Sequence, residues 1–249
     1  MVSDTAVLLV DAGNSRIKSV ALADVKDSEP LVHTDADAFI LWLSDTHFSH
    51  IFLSNVGKKD ISEKIIHFCD TQNRVIQEIF TEKENFGVRN SYKDVTKMGV
   101  DRWLAMVAAQ EMTGKMFCVI DMGTAITCDF VEDGQHLGGW ISPGFHLMRD
   151  ALVKNTARVT SDNSIPQNLA PGSSTEMCVA QGCHAALNGV YLSAIDYLLS
   201  KRSDFAVIIG GGDKNMLAIN HSTDTIRSAN LVVQGLARYA RKELSDFLA

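Results

Sequence analysis

The sequence predicts an α/β protein of two related halves, each a mixed sheet flanked by helices, with a cleft between them. Three observations predict it. Short apolar runs alternate with longer stretches of helical spacing along the 249 residues. The pattern strand, Asp-x-Gly, strand occurs twice, in VLLVDAGNSRIKSVAL from Val7 and in FCVIDMGTAITCDFV from Phe117. A third glycine turn, Gly210–Gly212, follows another buried run, FAVII. The boundary falls near Gly114, which gives domains over 1–114 and 115–249.

Element by element, Val7–Asp11 and Ile17–Ala23 read as paired strands, with Leu31–Thr34 a third. Asp35 is placed to cap a helix running to about Leu43. HIFLSNV (His50–Val56) is a buried strand, the stretch from Asp60 has helical spacing through Cys69, and VIQEIF is a strand. Residues 82–99 are polar and turn-rich, and Glu82–Glu84 reads as a solvated face. From Asp101 the spacing is helical, with Leu104, Val107, Ala108 and Met112 on one face and Gly114 as the stop. After the second Asp-x-Gly unit come a turn at Asp133-Gly134, a helix over His146–Val159 and a loop over 160–173. Thr175 to about Leu199 is a long helical stretch interrupted by Gly182 and Gly189, and the chain closes with a helix over Leu231–Leu248.

The composition bounds the function. With 23 basic against 30 acidic residues the net charge is −7, which weighs against a nucleic-acid partner. No apolar run approaches the roughly 20 residues that span a bilayer. The N-terminus carries neither a basic segment nor a cleavage pattern and reads as a cytoplasmic first strand. The five cysteines form no Cys-x-x-Cys pair and read as reduced thiols, most of them buried.

The paired turns point to phosphate. Glycine lets the backbone turn tightly and bring N–H groups to phosphate oxygens, and Ser15 and Thr124 add hydroxyl donors. Asp11 and Asp121 would repel phosphate directly, so a cation or water must intervene, the pattern of metal-assisted nucleotide binding. Two phosphate turns and a late glycine turn suited to adenosine resemble the actin-like, sugar-kinase and Hsp70-type ATPase fold. On the acceptor side, Asp101 and Arg102 open a helix after Gly99. A helix N-terminus and a guanidinium attract an anion, and Asp101 is placed to take a proton from a hydroxyl that attacks the γ-phosphorus.

DAGNSRIK, GVDRW, DMGTAIT, GGWISPG and STEMCVAQG occur in the order seen in type III pantothenate kinases, and the chain resembles that family from Asp11 to the Gly210 turn. The resemblance implies phosphorylation of the primary hydroxyl of pantothenate by ATP, the first step of coenzyme A synthesis, with Asp101 as general base. It implies substrate contacts at Tyr92, Gly99, Val100, Asp101, Arg102 and Thr175. It places ATP at Asp11, Ala12, Gly13, Asn14, Ser15, Arg16, Ile17, Lys18 and Thr124. Asp121 becomes the ligand of a monovalent cation, K+ or NH4+, with Mg2+ accompanying ATP. A cytoplasmic homodimer is implied, with neither nucleic acid nor membrane as partner. Ser15 stands where the family commonly has threonine, and Met98 replaces a usual leucine.

An accessory transcription regulator on the same fold, without catalysis, stays open as the alternative. Trp103 and Trp140 are placed to line a substrate pocket or to pack in a core or interface. His136, His146 and His184 read as solvated or hydrogen-bonded histidines, and Lys18 suits either ATP or an exposed strand face.

Overall fold

The computed structural model describes residues 6–217 and 224–246. They form two units, one of residues up to 112 together with those from 230 onward, the other of 113–229.

The first unit is built on β1 (Val7–Ala12), β2 (Ile17–Ala21), β3 (Leu31–His33), β4 (His50–Asn55) and β5 (Val75–Glu78), in the order β3-β2-β1-β4-β5. The pairs β1–β2 and β2–β3 are antiparallel, and β1–β4 and β4–β5 are parallel. Val7–Val10 are all buried, which suits a central strand covered on both faces and explains the unbroken apolar run. Helices α1 (Ala36–Ser44) and α2 (Lys59–Thr71) share a core with this sheet through Phe39, Leu43, Ile65 and Cys69. Asp35 caps α1 as its sequence position predicts, accepting from the Ala38 amide at 2.8 Å.

Within 82–99 a small hairpin of β6 (Glu84–Asn85) and β7 (Val88–Arg89) turns through Phe86 and Gly87, both at positive φ. Helix α3 (Val100–Met112) follows. Burial runs round it from Arg102 to Ala109 rather than along one face. The closing helix α6 (Leu231–Asp246) lies along α3 and also meets β1 and β4. A β-carbon on Gly235 would overlap the Leu104 carbonyl, so glycine sets that approach. A linear division at 114 assigns α6 to the second half, but its contacts place it in the first unit. The last two residues of the expected closing helix lie outside the described residues.

The second unit repeats the strand plan. Strands β8 (Met116–Met122), β9 (Ala125–Glu132), β10 (Gln135–Pro143), β11 (Phe205–Gly210) and β12 (Asp224–Arg227) lie in the order β10-β9-β8-β11-β12. Here too the first three are antiparallel neighbours, while β8–β11 and β11–β12 are parallel. The Asp133-Gly134 turn between β9 and β10 has both residues at positive φ, the hairpin geometry that Asp-Gly favours.

Helix α4 (Phe145–Asn155) ends four residues before the expected Val159. Asn155 and Thr156 side chains bond back to the Ala151 and Leu152 carbonyls, which competes with another helical turn. Helix α5 (Thr175–Lys201) runs unbroken through Gly182 and Gly189, contrary to the expected interruption. Each glycine costs about 1 kcal/mol relative to alanine, and burial of Leu187, Tyr191, Ala194 and Leu198 offsets it. Cys69, Cys118, Cys128 and Cys183 are buried thiols and Cys178 is exposed. Among the described residues no helix is long and apolar enough to cross a membrane.

Candidate active site

In the first unit three turns meet at one end of the sheet. The β1–β2 register pairs Ala12 with Ile17, and the Gly13 amide donates to the Arg16 carbonyl at 3.0 Å. Asn14 and Ser15 therefore form the tip and, like Arg16, are exposed. Ala12 and Ile17 are buried in the core, which leaves only their backbone to meet a ligand. Asp11 ends β1 half-buried and accepts from the Ser54 hydroxyl at 3.3 Å, while Lys18 sits directly opposite it on β2. Direct partners in an antiparallel pair share a face, so Lys18 is beside the loop rather than remote from it.

The turn after β4 abuts this loop. A β-carbon on Gly57 would lie 3.1 Å from the Gly13 carbonyl oxygen, and the Gly57 amide donates to Asn55 Oδ1 at 2.8 Å. Asn55 and Gly57 were not among the expected site residues. Their signal was a strand ending in Asn-Val-Gly before a helix, a pattern too common to single out.

The third turn carries Gly99–Arg102. Asp101 Oδ1 accepts from the Arg102 amide at 2.8 Å and lies over Gly99, 2.5 Å from where a β-carbon there would stand. Val56 Cγ1 stands 4.0 Å from the same position. Arg102 is buried, yet Nη1 donates to the Tyr92 hydroxyl at 3.1 Å and the guanidinium lies 5.8 Å from the Tyr92 ring centre. The Tyr92 amide is held by Asn90 Oδ1 at 2.9 Å. Val100 is buried. The structure thus brings Tyr92, Gly99, Asp101 and Arg102 together, with the β4 turn between them and the first loop.

In the second unit Asp121 and Thr124 belong to a knot of glycine turns. Gly210 pairs in register with Asp121. Gly211 is at φ 89°, and a β-carbon there would overlap the Met122 backbone. The Asp213 amide donates to the Met122 carbonyl at 3.0 Å. Gly144 closes on the same turn from the other side: its amide donates to the Thr124 carbonyl at 2.9 Å, and a β-carbon would overlap the Gly123 carbonyl. Asp121 is half-buried and Thr124 exposed. Among the described residues no group of three or more His, Cys, Asp or Glu is placed to hold a metal ion.

Beside the knot lies a cavity of about 340 Å³ lined by His146, Pro166, His184, Gly212, Asp213 and Met216, among others. The His184 Nε2 bonds the Met216 carbonyl at 2.6 Å, so that nitrogen carries the proton. Burial pushes the Asp213 carboxyl above the usual carboxylate range, and His146, 3.9 Å away, draws it partly back. A raised carboxyl pKa favours the fold below the ordinary carboxylate range and costs stability as pH rises through the raised value. Asp213→Asn is therefore expected to raise Tm at neutral pH, with the gain vanishing near about pH 3, as read by thermal melts at both pH values.

Thr175 is the first residue of α5, after the Ser174 cap that accepts from the Met177 amide at 3.3 Å. It borders an open cleft of about 1070 Å³ whose walls include Pro143, Met148, Leu152, Val179 and Cys183. Trp103 is buried, with its indole donating to the Tyr239 hydroxyl at 2.8 Å. Trp140 is 40% exposed and meets Phe130 edge-on. His136 is buried and bonded to Asp129 at 3.1 Å.

The sequence profile of type III pantothenate kinases matches residues 7–197. A type III pantothenate kinase from Pseudoalteromonas atlantica is 36% identical over 236 residues, 93% of this chain and 96% of that one. Another from Pseudomonas syringae is 34% identical over 85% of this chain and 90% of its own. Among solved structures, a protein described as a 2-dehydro-3-deoxygalactonokinase from Sinorhizobium meliloti aligns with a TM-score of 0.59 at 14% identity, covering 94% of this chain and 96% of its own. A protein described as a Baf family transcriptional activator from Campylobacter jejuni aligns at 0.61 and 22% identity, covering 96% and 99%. At these identities both structures speak for the fold alone, an α/β fold of two mixed sheets flanked by helices. With its profile matched across most of its length and its relatives aligned almost end to end, the chain belongs to the type III pantothenate kinase family.

Proposed function

We propose that this chain transfers the γ-phosphoryl group of ATP to the primary hydroxyl of pantothenate, giving 4'-phosphopantothenate, with Asp101 as general base. The observation that carries the reading is the first turn of α3. Asp101 is fixed by the Arg102 amide at 2.8 Å, and a buried guanidinium steadied by Tyr92 lies beside it. A buried guanidinium at a helix N-terminus suits a substrate carboxylate. The substrate hydroxyl gives its proton to Asp101 as its oxygen bonds to the γ-phosphorus, and the bond from phosphorus to the bridging oxygen of ADP breaks. Position and electrostatics supply most of the rate in such a transfer.

The exposed Asn14-Ser15 tip and Thr124 supply phosphate donors, and the cavity beside Gly212 supports a place for the nucleoside. Thr175 serves as a further pantothenate contact. Asp121, in register with Gly210 at the end of β8, offers a hard carboxylate oxygen that suits K+ or NH4+. When bound, such a cation offsets phosphate charge, and Mg2+ arrives on ATP. The protein works in the cytoplasm as a homodimer. Exposed apolar side chains on α4 and α5, Leu147, Leu152, Val153, Met177 and Leu192 among them, support a partner copy there.

The test is release of ADP with pantothenate, in potassium and in sodium buffers, with the product weighed by mass spectrometry. Phosphopantothenate formed at a rate that rises with potassium is expected. ATP binding without product would return the regulator, and turnover on sugars alone would move the chain elsewhere in the superfamily.

A further inference from the structure

Thr81, Glu82 and Lys83 lie between β5 and the β6–β7 hairpin, where the charges read in sequence as a solvated face. Lys83 and Glu84 are exposed as that reading has it, and Glu82 is half-buried. The three successive side chains each hold a different piece of the acceptor segment. Thr81 Oγ1 donates to the Met98 carbonyl at 2.9 Å, immediately before Gly99. Glu82 accepts from the Tyr239 hydroxyl and from the Asn85 amide, which lies 3.1 Å from each carboxylate oxygen. The same Tyr239 oxygen accepts from the Trp103 indole at 2.8 Å, immediately after Arg102. Carboxylates only accept and indoles only donate, so the direction of this relay is fixed. Lys83 Nζ donates to the Asn90 carbonyl at 2.9 Å and the Tyr92 carbonyl at 3.0 Å, the two ends of the strap that presents Tyr92 to Arg102.

We infer that Thr81-Glu82-Lys83 is a positioning clamp for the acceptor turn, gripping it before Gly99, after Arg102 and behind Tyr92. The inference rests on reading that turn as the pantothenate site. None of the three is placed here as a catalytic residue. They act through Met98, Trp103 and Tyr92, and they set where Arg102 and Asp101 stand. Loosening the clamp therefore acts on pantothenate rather than on ATP, because small misplacements at a reacting centre are costly.

The experiment uses Lys83→Met, Lys83→Arg and Thr81→Val in the full chain, with steady-state kinetics in both substrates and amide hydrogen exchange. In Lys83→Met the KM for pantothenate is expected to rise about tenfold, the equivalent of one charge-assisted hydrogen bond, with the KM for ATP within about twofold. Lys83→Arg, which keeps the donors, recovers most of the loss, and amides in 90–103 exchange faster in Lys83→Met. Thr81→Val decides the matter if Lys83→Met fails to fold, since it removes one bond at nearly constant volume. An active wild type whose variants show unchanged pantothenate KM, or equal shifts in both KM values, overturns the clamp alone. A wild type that fails to phosphorylate pantothenate overturns the kinase reading, and the clamp's role with it.

Discussion

Asp101→Asn is expected to lower kcat for pantothenate phosphorylation by about a hundredfold or more, with ATP binding and thermal stability close to wild type. The asparagine amide has nearly the shape of the carboxylate. Its carbonyl oxygen can keep the bond from the Arg102 amide that fixes the side chain over Gly99. What is lost is the basic oxygen, so the hydroxyl would have to attack with its proton still in place. Stopped assays of ADP formation, paired with ATP affinity by calorimetry and a melting curve, separate these effects. A kcat within about threefold of wild type would remove Asp101 from the chemistry, because general bases rarely contribute so little.

Gly211→Ala is expected to abolish measurable turnover and to cost about 3 kcal/mol of stability, a large effect for one methyl group. Two penalties coincide there. The backbone is at φ 89°, where a side chain is strained, and the new β-carbon would overlap the Met122 backbone. Relief requires the Gly210–Asp213 turn to move off the Met122 turn, which breaks the bond from the Asp213 amide to the Met122 carbonyl. That movement displaces Asp121 and the floor of the cavity beside Gly212 together. Gly212→Ala is the internal control, because a β-carbon there meets open space. Denaturant melts of the two variants, with ATP binding, distinguish the turn's geometry from a general intolerance of larger residues.

Much of this arrangement was legible in the sequence because its signals are local. An apolar run that ends in Asp-x-Gly announces a buried strand and a tight turn, and Asp35 followed by helical spacing announces a capped helix. The turn at the start of α3 was legible because Gly99, Asp101 and Arg102 are close together in the chain. Features that depend on distant segments were not. Gly144 is indispensable to the Thr124 turn only because α4 starts there, and nothing near Gly144 in sequence says so. Strand β12 is four residues with little apolar content, and pairing with β11 makes it a strand. Glu82 looked solvated because its partner Tyr239 lies 157 residues further on. Helix α5 defeated the glycine rule because tertiary burial on its inner face outweighs two propensity penalties.

The return of α6 to the first unit has a consequence for how the polypeptide is made. The ribosome emits β1 through α3 early, yet Tyr239, which takes the Trp103 indole bond, emerges 136 residues after it. The amino-terminal lobe must wait, lacking one of its own helices, while the whole of the other lobe is synthesised. Its tryptophan anchor and the groove that receives Gly235 stay open until α6 itself is synthesised. A nascent chain that stops short of α6 would thus carry its damage in the lobe it began first.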